Sequence, residues 1–162
     1  MGLPILPIEK TSSYITICTF GALKDAREVT QDYHDEFGWE NQVAAIAKVY
    51  QSLPDEEKAD CVILAGNYGQ AGAVDFYGPK YGLPRAVSDH MTYYLWGTGN
   101  GSGEVVLTIG YSREKLEPLF HRVDYAATIE SEHAVESKLT IFVCRKPRTD
   151  LREAWEKHGV KL

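Results

Sequence analysis

Two clusters in this chain have the residue types and spacing for ligand chemistry. The first is the glycine triplet Gly66, Gly69 and Gly72, which encloses Asn67, Tyr68 and Gln70. It follows a short apolar run and opens a helical stretch. Glycines at such a turn let the backbone bend sharply and let a ligand approach peptide N–H groups at a helix start. The spacing is G-x-x-G-x-x-G, whereas dinucleotide-binding turns use G-x-G-x-x-G, and no Lys-Ser or Lys-Thr follows as in a phosphate loop. No acidic residue ends a clear second strand to hold a ribose, although Asp89 stands about 20 residues on. Three readings stay open for the triplet: a turn required by packing, a nucleotide site, and a site for another polar ligand.

The second cluster is Ser88, Asp89 and His90, followed by Tyr93, Tyr94 and Trp96. Open α/β sheets bind ligands in the crevice at the carboxyl ends of their strands. One strand delivers Asn67, Tyr68, Gly69 and Gln70 to that edge, and the next delivers Ser88, Asp89 and His90. Aromatic rings beside amide and carboxylate groups suit a saccharide, because rings cover its C–H face while polar groups pair its hydroxyls. The competing reading is that these rings only cap the sheet. A Ser-His-Asp triad is excluded, since neighbours in an extended segment point in alternating directions. No G-x-S-x-G elbow occurs either.

The remaining chemistry-bearing residues form no pattern. His34, His121, His133 and His158 lack metal-ligand spacing, and Asp32, His34, Asp35 and Glu36 read as a solvated acidic turn. Cys18, Cys61 and Cys144 each sit in an apolar stretch, as small core residues do. Their odd number and spacing exclude a zinc site and lean towards a reducing compartment. The expectation is therefore no catalytic residue, no metal and no cofactor.

The elements that position these residues are those of one α/β domain. The 162 residues suffice for a single core, with 44% apolar and 25% charged residues. A net charge of −6 without a basic stripe excludes a nucleic-acid surface and disfavours an anionic membrane. No stretch nears the roughly 18 apolar residues of a membrane span, so the chain reads as soluble. Trp39, Val43, Ile46, Tyr50 and Leu53 mark one helical face, which Pro54 ends. Strands are expected at Tyr14–Phe20, Cys61–Ala65, Arg85–Ser88, Glu104–Gly110, Arg122–Ile129 and Leu139–Arg145, with further helices after Gly66 and Ser112 and from Asp150 to Gly159. This alternation predicts a three-layer open, largely parallel sheet, Rossmann-like or flavodoxin-like, with helices on both faces. Residues 1–13 read as an extended linker and 14–162 as the domain.

Motifs spread along the chain resemble one family. They are Leu3-Pro-Ile-Leu-Pro7, Phe37-Gly-Trp39, Val49-Tyr50 with Ser52-Leu-Pro54, Ala65-Gly-Asn-Tyr-Gly69 with Ala71-Gly-Ala73, Gly82-Leu-Pro84, His90, and Tyr94-Leu-Trp-Gly97. Together they resemble the C-terminal domain of bacterial membrane glycosyltransferases of the dolichyl-phosphate-mannose–protein mannosyltransferase type (family 39). The resemblance implies a non-catalytic accessory domain on the extracytoplasmic face, periplasmic or cell-surface. Its partners would be the membrane-embedded catalytic part and a saccharide or polyprenyl-phosphate-sugar ligand. Gln70 stands where the family carries Glu, and Met91 and Thr92 stand within its His-Asn-Asn-Tyr stretch, which puts a shared ligand in doubt. The alternative expectation is a free-standing Rossmann-like protein that binds a nucleotide or small molecule at the Gly66–Gly72 loop.

Overall fold

The face expected from Trp39 to Leu53 organises the first layer of the fold. The computed structural model describes residues 8–22, 37–131, 134 and 136–158. The acidic turn at Asp32–Glu36, the Leu3–Pro7 motif, His133 and Gly159 lie outside the described residues. Helix α2 spans Trp39–Ser52 and buries Val43, Ile46 and Val49, with Trp39 and Tyr50 packed at the margin of the same cluster. Helix α1 spans Ile8–Cys18, and a four-residue helix α3 at Asp55–Lys58 replaces a plain charged connection.

Two units partition the chain: residues 1–38 with 131–137, and residues 39–130 with 138–162. In the first unit, Tyr14–Cys18 is helical where the sequence predicts a strand, and residues 8–13 are helical where it predicts an extended linker. The physical reason is local. Phe20 and Gly21 take left-handed backbone angles (φ 51° and 79°), and Gly21 N–H donates to Thr16 O at 2.8 Å, a glycine-based helix stop that β-branched composition conceals.

The second unit is built on a five-stranded open sheet. Strand β1 is Val62–Ala65, β2 Ala86–Val87, β3 Val105–Ile109, β4 Phe120–Glu130 and β5 Lys138–Pro147. Their order is β2-β1-β3-β5-β4. Strand β1 pairs in parallel with β2 and β3, whereas β5 runs antiparallel to both β3 and β4. The sheet is thus mixed, not largely parallel. Strands β4 and β5 are joined by residues 131–137 alone, too short for the crossover of a dozen or more residues that a parallel pair requires.

Alternation along the central strands divides the core between the two sheet faces. Ile63 and Ala65 of β1 join Val105, Leu107 and Ile109 of β3 in the cluster that contains α2 and helix α4, Tyr68–Tyr77. Val62, Leu64 and Val106 join Phe142 and Cys144 on the opposite side. There they meet Leu116 of helix α5 (Arg113–Leu116) and, at the margin, Leu151 and Trp155 of helix α6 (Leu151–His158). Each fully buried Ile or Leu in these clusters contributes about 1.5–3 kcal/mol. Helix α5 stops short of Pro118, and Asp150 Oδ1 caps α6 by accepting from Arg152 N–H and Glu153 N–H at 2.9 and 3.2 Å.

Candidate functional site

The parallel part of the sheet brings three strand ends to one edge: Gly66 after β1, Ser88 after β2, and Gly110 after β3. Gly66 N–H donates both to Ile109 O at 2.9 Å and to Gln70 Oε1 at 3.0 Å. Asn67 is the cap of α4, with extended backbone angles and its Oδ1 accepting from Gln70 N–H at 2.9 Å. Tyr68 N–H, the next donor, points to His90 Nδ1 at 3.4 Å. The two rings stack with centroids 5.3 Å apart and planes 5° from parallel.

The contact of Tyr68 N–H with Nδ1 orients the His90 ring at the start of α4. His90 is further fixed by its own N–H, which donates to the buried Ser88 Oγ at 3.3 Å. Asp89 lies between them, and the Tyr111 hydroxyl stands 3.5 Å from both its Oδ1 and Ala65 O, either of which can accept its proton. Burial first, and then the Asp89 charge, push the Tyr111 phenol well above its ordinary range, so it is a lasting proton donor.

Two glycines of the triplet serve packing. A Cβ on Gly66 would sit 2.9 Å from Gly110 O, and one on Gly69 would sit 3.0 Å from the Trp39 ring. At Gly72 a Cβ would stand 3.8 Å from the Tyr93 hydroxyl, an ordinary contact that does not demand glycine. Gln70 is buried and spans the gap between Gly66 and Gly110, a positioning role for an amide predicted to face ligand.

Beyond His90, residues Met91–Trp96 form a 3₁₀ helix within the predicted aromatic loop. Tyr93 O–H donates to Asp75 Oδ2 at 3.2 Å, and burial followed by the Asp75 charge raises its pKa. Asp75 also accepts from Ala86 N–H at 2.8 Å and from Arg85 at 3.2 Å. Trp96 packs edge-on against Tyr93 at 4.4 Å, with the Arg85 guanidinium 5.3 Å from its ring centre. It still remains 60% exposed, and Tyr68 remains 53% exposed. Tyr94 turns away to stack on Trp155 at 5.5 Å, and Trp155 Nε1–H donates to Tyr94 O at 3.2 Å.

Of the ten predicted site residues, Asn67, Tyr68, Asp89 and His90 gather at the strand ends, with Tyr93 and Trp96 beside α4. Gly69, Gln70 and Ser88 are spent on packing or buried hydrogen bonds, and Tyr94 is spent on α6. Sequence reasoning missed Tyr111, which the same strand-end rule finds directly after β3. It also missed Asp75, Arg85 and Trp155, whose roles arise only from tertiary packing. Among the described residues, no group of three or more His, Cys, Asp or Glu is placed to hold a metal ion. No described helix is long and apolar enough to cross a membrane.

No protein-family model, curated protein or solved structure matches this chain. The site is therefore read from its own chemistry. Its exposed polar atoms and rings can hold a ligand.

Proposed function

We propose that this chain is a non-catalytic saccharide-binding module, an accessory domain of a polyprenyl-phosphate-sugar-dependent membrane glycosyltransferase on the extracytoplasmic side. The observation that carries the binding part is the Tyr68–His90 stack at the strand ends that also carry Asn67 and Asp89, followed by the 3₁₀ helix on which Trp96 is 60% exposed. Exposed rings next to fixed donors and acceptors are how proteins hold sugars that present both C–H faces and hydroxyls. The parent enzyme and its location rest on the motif resemblance alone.

The nucleotide reading of the Gly66–Gly72 loop draws less support. Gly66 and Gly69 are accounted for by Gly110 and Trp39, and the N–H groups of Gly66, Tyr68 and Gln70 have acceptors within the protein.

Titration of the chain with short oligosaccharides, followed through Tyr and Trp fluorescence, tests the binding part. Saturable change that Trp96→Ala abolishes is the expected result; an unchanged response in that variant removes the platform from the site. The parent is tested in the source DNA, where the open frame should extend upstream of the Met1 codon through several hydrophobic spans. A stop codon just before Met1 would exclude a fused membrane part.

A further inference from the structure

Gly97, Gly99, Gly101 and Gly103 alternate along the segment that leads from the 3₁₀ helix into β3, and Asn100 stands among them. Of the chain's asparagines, Asn41, Asn67 and Asn100, only the last precedes a glycine. An asparagine is open to attack at Cγ by the backbone nitrogen of the next residue, and a Cβ on that residue obstructs the approach. Glycine has none.

The fold leaves this dipeptide ready. Asn100 is exposed, and no hydrogen bond among the described residues holds its side-chain amide or the peptide that joins it to Gly101. The other two asparagines are protected. Asn67 Oδ1 accepts from Gln70 N–H, and the next nitrogen, Tyr68 N–H, is engaged with His90 Nδ1. Asn41 lies in the first turn of α2, where helical backbone angles aim the next nitrogen away from Cγ. Packing explains why a glycine occupies position 101 at all: a Cβ there would sit 2.5 Å from Val62 Cγ2 and 2.8 Å from Asp60 O. One residue on, Ser102 N–H donates to Asp60 Oδ1 at 2.8 Å, and its hydroxyl donates to Asp60 Oδ2.

We propose that Asn100 is a site of spontaneous modification, deamidating through a succinimide formed with Gly101. Gly101 N gives its proton to water or hydroxide and bonds to Asn100 Cγ. The Cγ–Nδ2 bond breaks, and ammonia leaves. Water then opens the ring at either carbonyl, and nothing is oxidised or reduced. Opening at Cγ yields aspartate. Opening at the main-chain carbonyl yields isoaspartate, whose main chain runs through Cβ and is one methylene longer. That longer chain does not fit where Gly101 already meets Val62 and Asp60. Isoaspartate should therefore part Ser102 from Asp60, the link between the segments that enter β1 and β3.

The test is ageing of the whole chain at mildly alkaline and mildly acid pH, followed by mass spectrometry of tryptic peptides. Trypsin places the asparagines in separate peptides, Glu28–Lys48, Ala59–Lys80 and Ala86–Arg113. The last should gain about 1 Da at least about tenfold faster than the others, faster still at the alkaline pH, with isoaspartate exceeding aspartate. No gain at Asn100 in the folded chain overturns the proposal, whether or not the urea-unfolded chain gains it. A product that is aspartate alone overturns the succinimide route. Asn100→Asp adds the charge without the extra methylene, so amide exchange at Ser102 should quicken in the aged chain and not in this variant. Equal exchange in the two overturns the role given to chain length.

Discussion

The ring of Tyr68 lies parallel to the imidazole of His90 at 5.3 Å while the Tyr68 backbone N–H meets His90 Nδ1, so one residue pair joins the start of α4 to the end of β2 by two different interactions. The two are separable by substitution. His90→Phe keeps a stack and removes the acceptor, whereas His90→Ala removes both. His90→Ala should cost about 1–2 kcal/mol in urea unfolding and His90→Phe about half of that. Equal losses in the two variants would show that stacking contributes nothing.

Gly110 is the tightest backbone position at the edge. Its φ is 80°, and a Cβ there would overlap the Gln70 amide. Gly110→Ala therefore incurs both left-handed strain and the displacement of a buried hydrogen-bonded side chain. The expected loss is about 2–4 kcal/mol. Gln70→Ala should relieve the overlap, so the double variant should be less damaged than the sum of the two single ones. Thermal unfolding of the four proteins in this cycle checks the coupling.

Much of this arrangement was legible in the sequence, for identifiable reasons. Val62–Ala65 and Val105–Ile109 are uninterrupted apolar runs because both sheet faces are covered there. The strand-end rule then places Asn67 and His90 together. The strand direction of β4 and β5 was also within reach, through the shortness of residues 131–137, yet α/β alternation masked it. Helix α1 was concealed because Thr16, Ile15 and Ile17 favour strands by composition, while its stop signal at Gly21 acts through backbone geometry. Gln70 reads as a ligand-facing amide until the distance from Gly66 to Gly110 is known. The pairings Tyr94–Trp155 and Arg85–Trp96 depend on where α6 and the 3₁₀ helix dock, which no local pattern encodes.

Away from the site, Arg145 holds Glu57 with bonds of 2.8 and 2.7 Å and Asp124 with one of 2.9 Å. The Arg145 hydrogen bonds hold the Glu57 carboxyl below its usual range. A carboxylate with a depressed folded-state pKa stabilises the protein above its unfolded pKa, and that contribution is lost as pH falls through the folded one. Stability should therefore decline as pH drops below the usual glutamate range, about 4.3. Glu57→Gln should flatten this decline while lowering stability at pH 7. Urea midpoints at a series of pH values measure both effects, and a steeper acid decline in Glu57→Gln would contradict the assignment.

The cysteines divide by burial. Burial pushes the Cys61 thiol up to about 11 and the Cys144 thiol up to about 12, so neither forms thiolate at neutral pH. Cys18 is exposed. A thiolate-directed reagent such as Ellman's should modify Cys18 rapidly in the native chain. It should reach Cys61 and Cys144 only in denaturant. Mass spectrometry of tryptic peptides assigns each site, and rapid native labelling of Cys144 would contradict its place beneath the sheet.

Tyr94 and Trp96 stand two residues apart, yet their surroundings give them opposite duties. Tyr94 is stacked on Trp155 and receives its indole N–H, so it fastens α6 to the rim. Trp96 touches Tyr93 and Arg85 and leaves most of its surface open. Tyr94→Ala should then destabilise the fold by about 1–2 kcal/mol through the lost stacking and burial, because the Tyr94 carbonyl that accepts the indole N–H remains. Trp96→Ala should change stability by no more than about 0.5 kcal/mol, as an exposed side chain does, and should abolish saccharide binding. Thermal unfolding and calorimetric titration of both variants separate the two duties. A folded, fully binding Trp96→Ala would leave the Tyr68–His90 stack as the aromatic surface that a sugar meets.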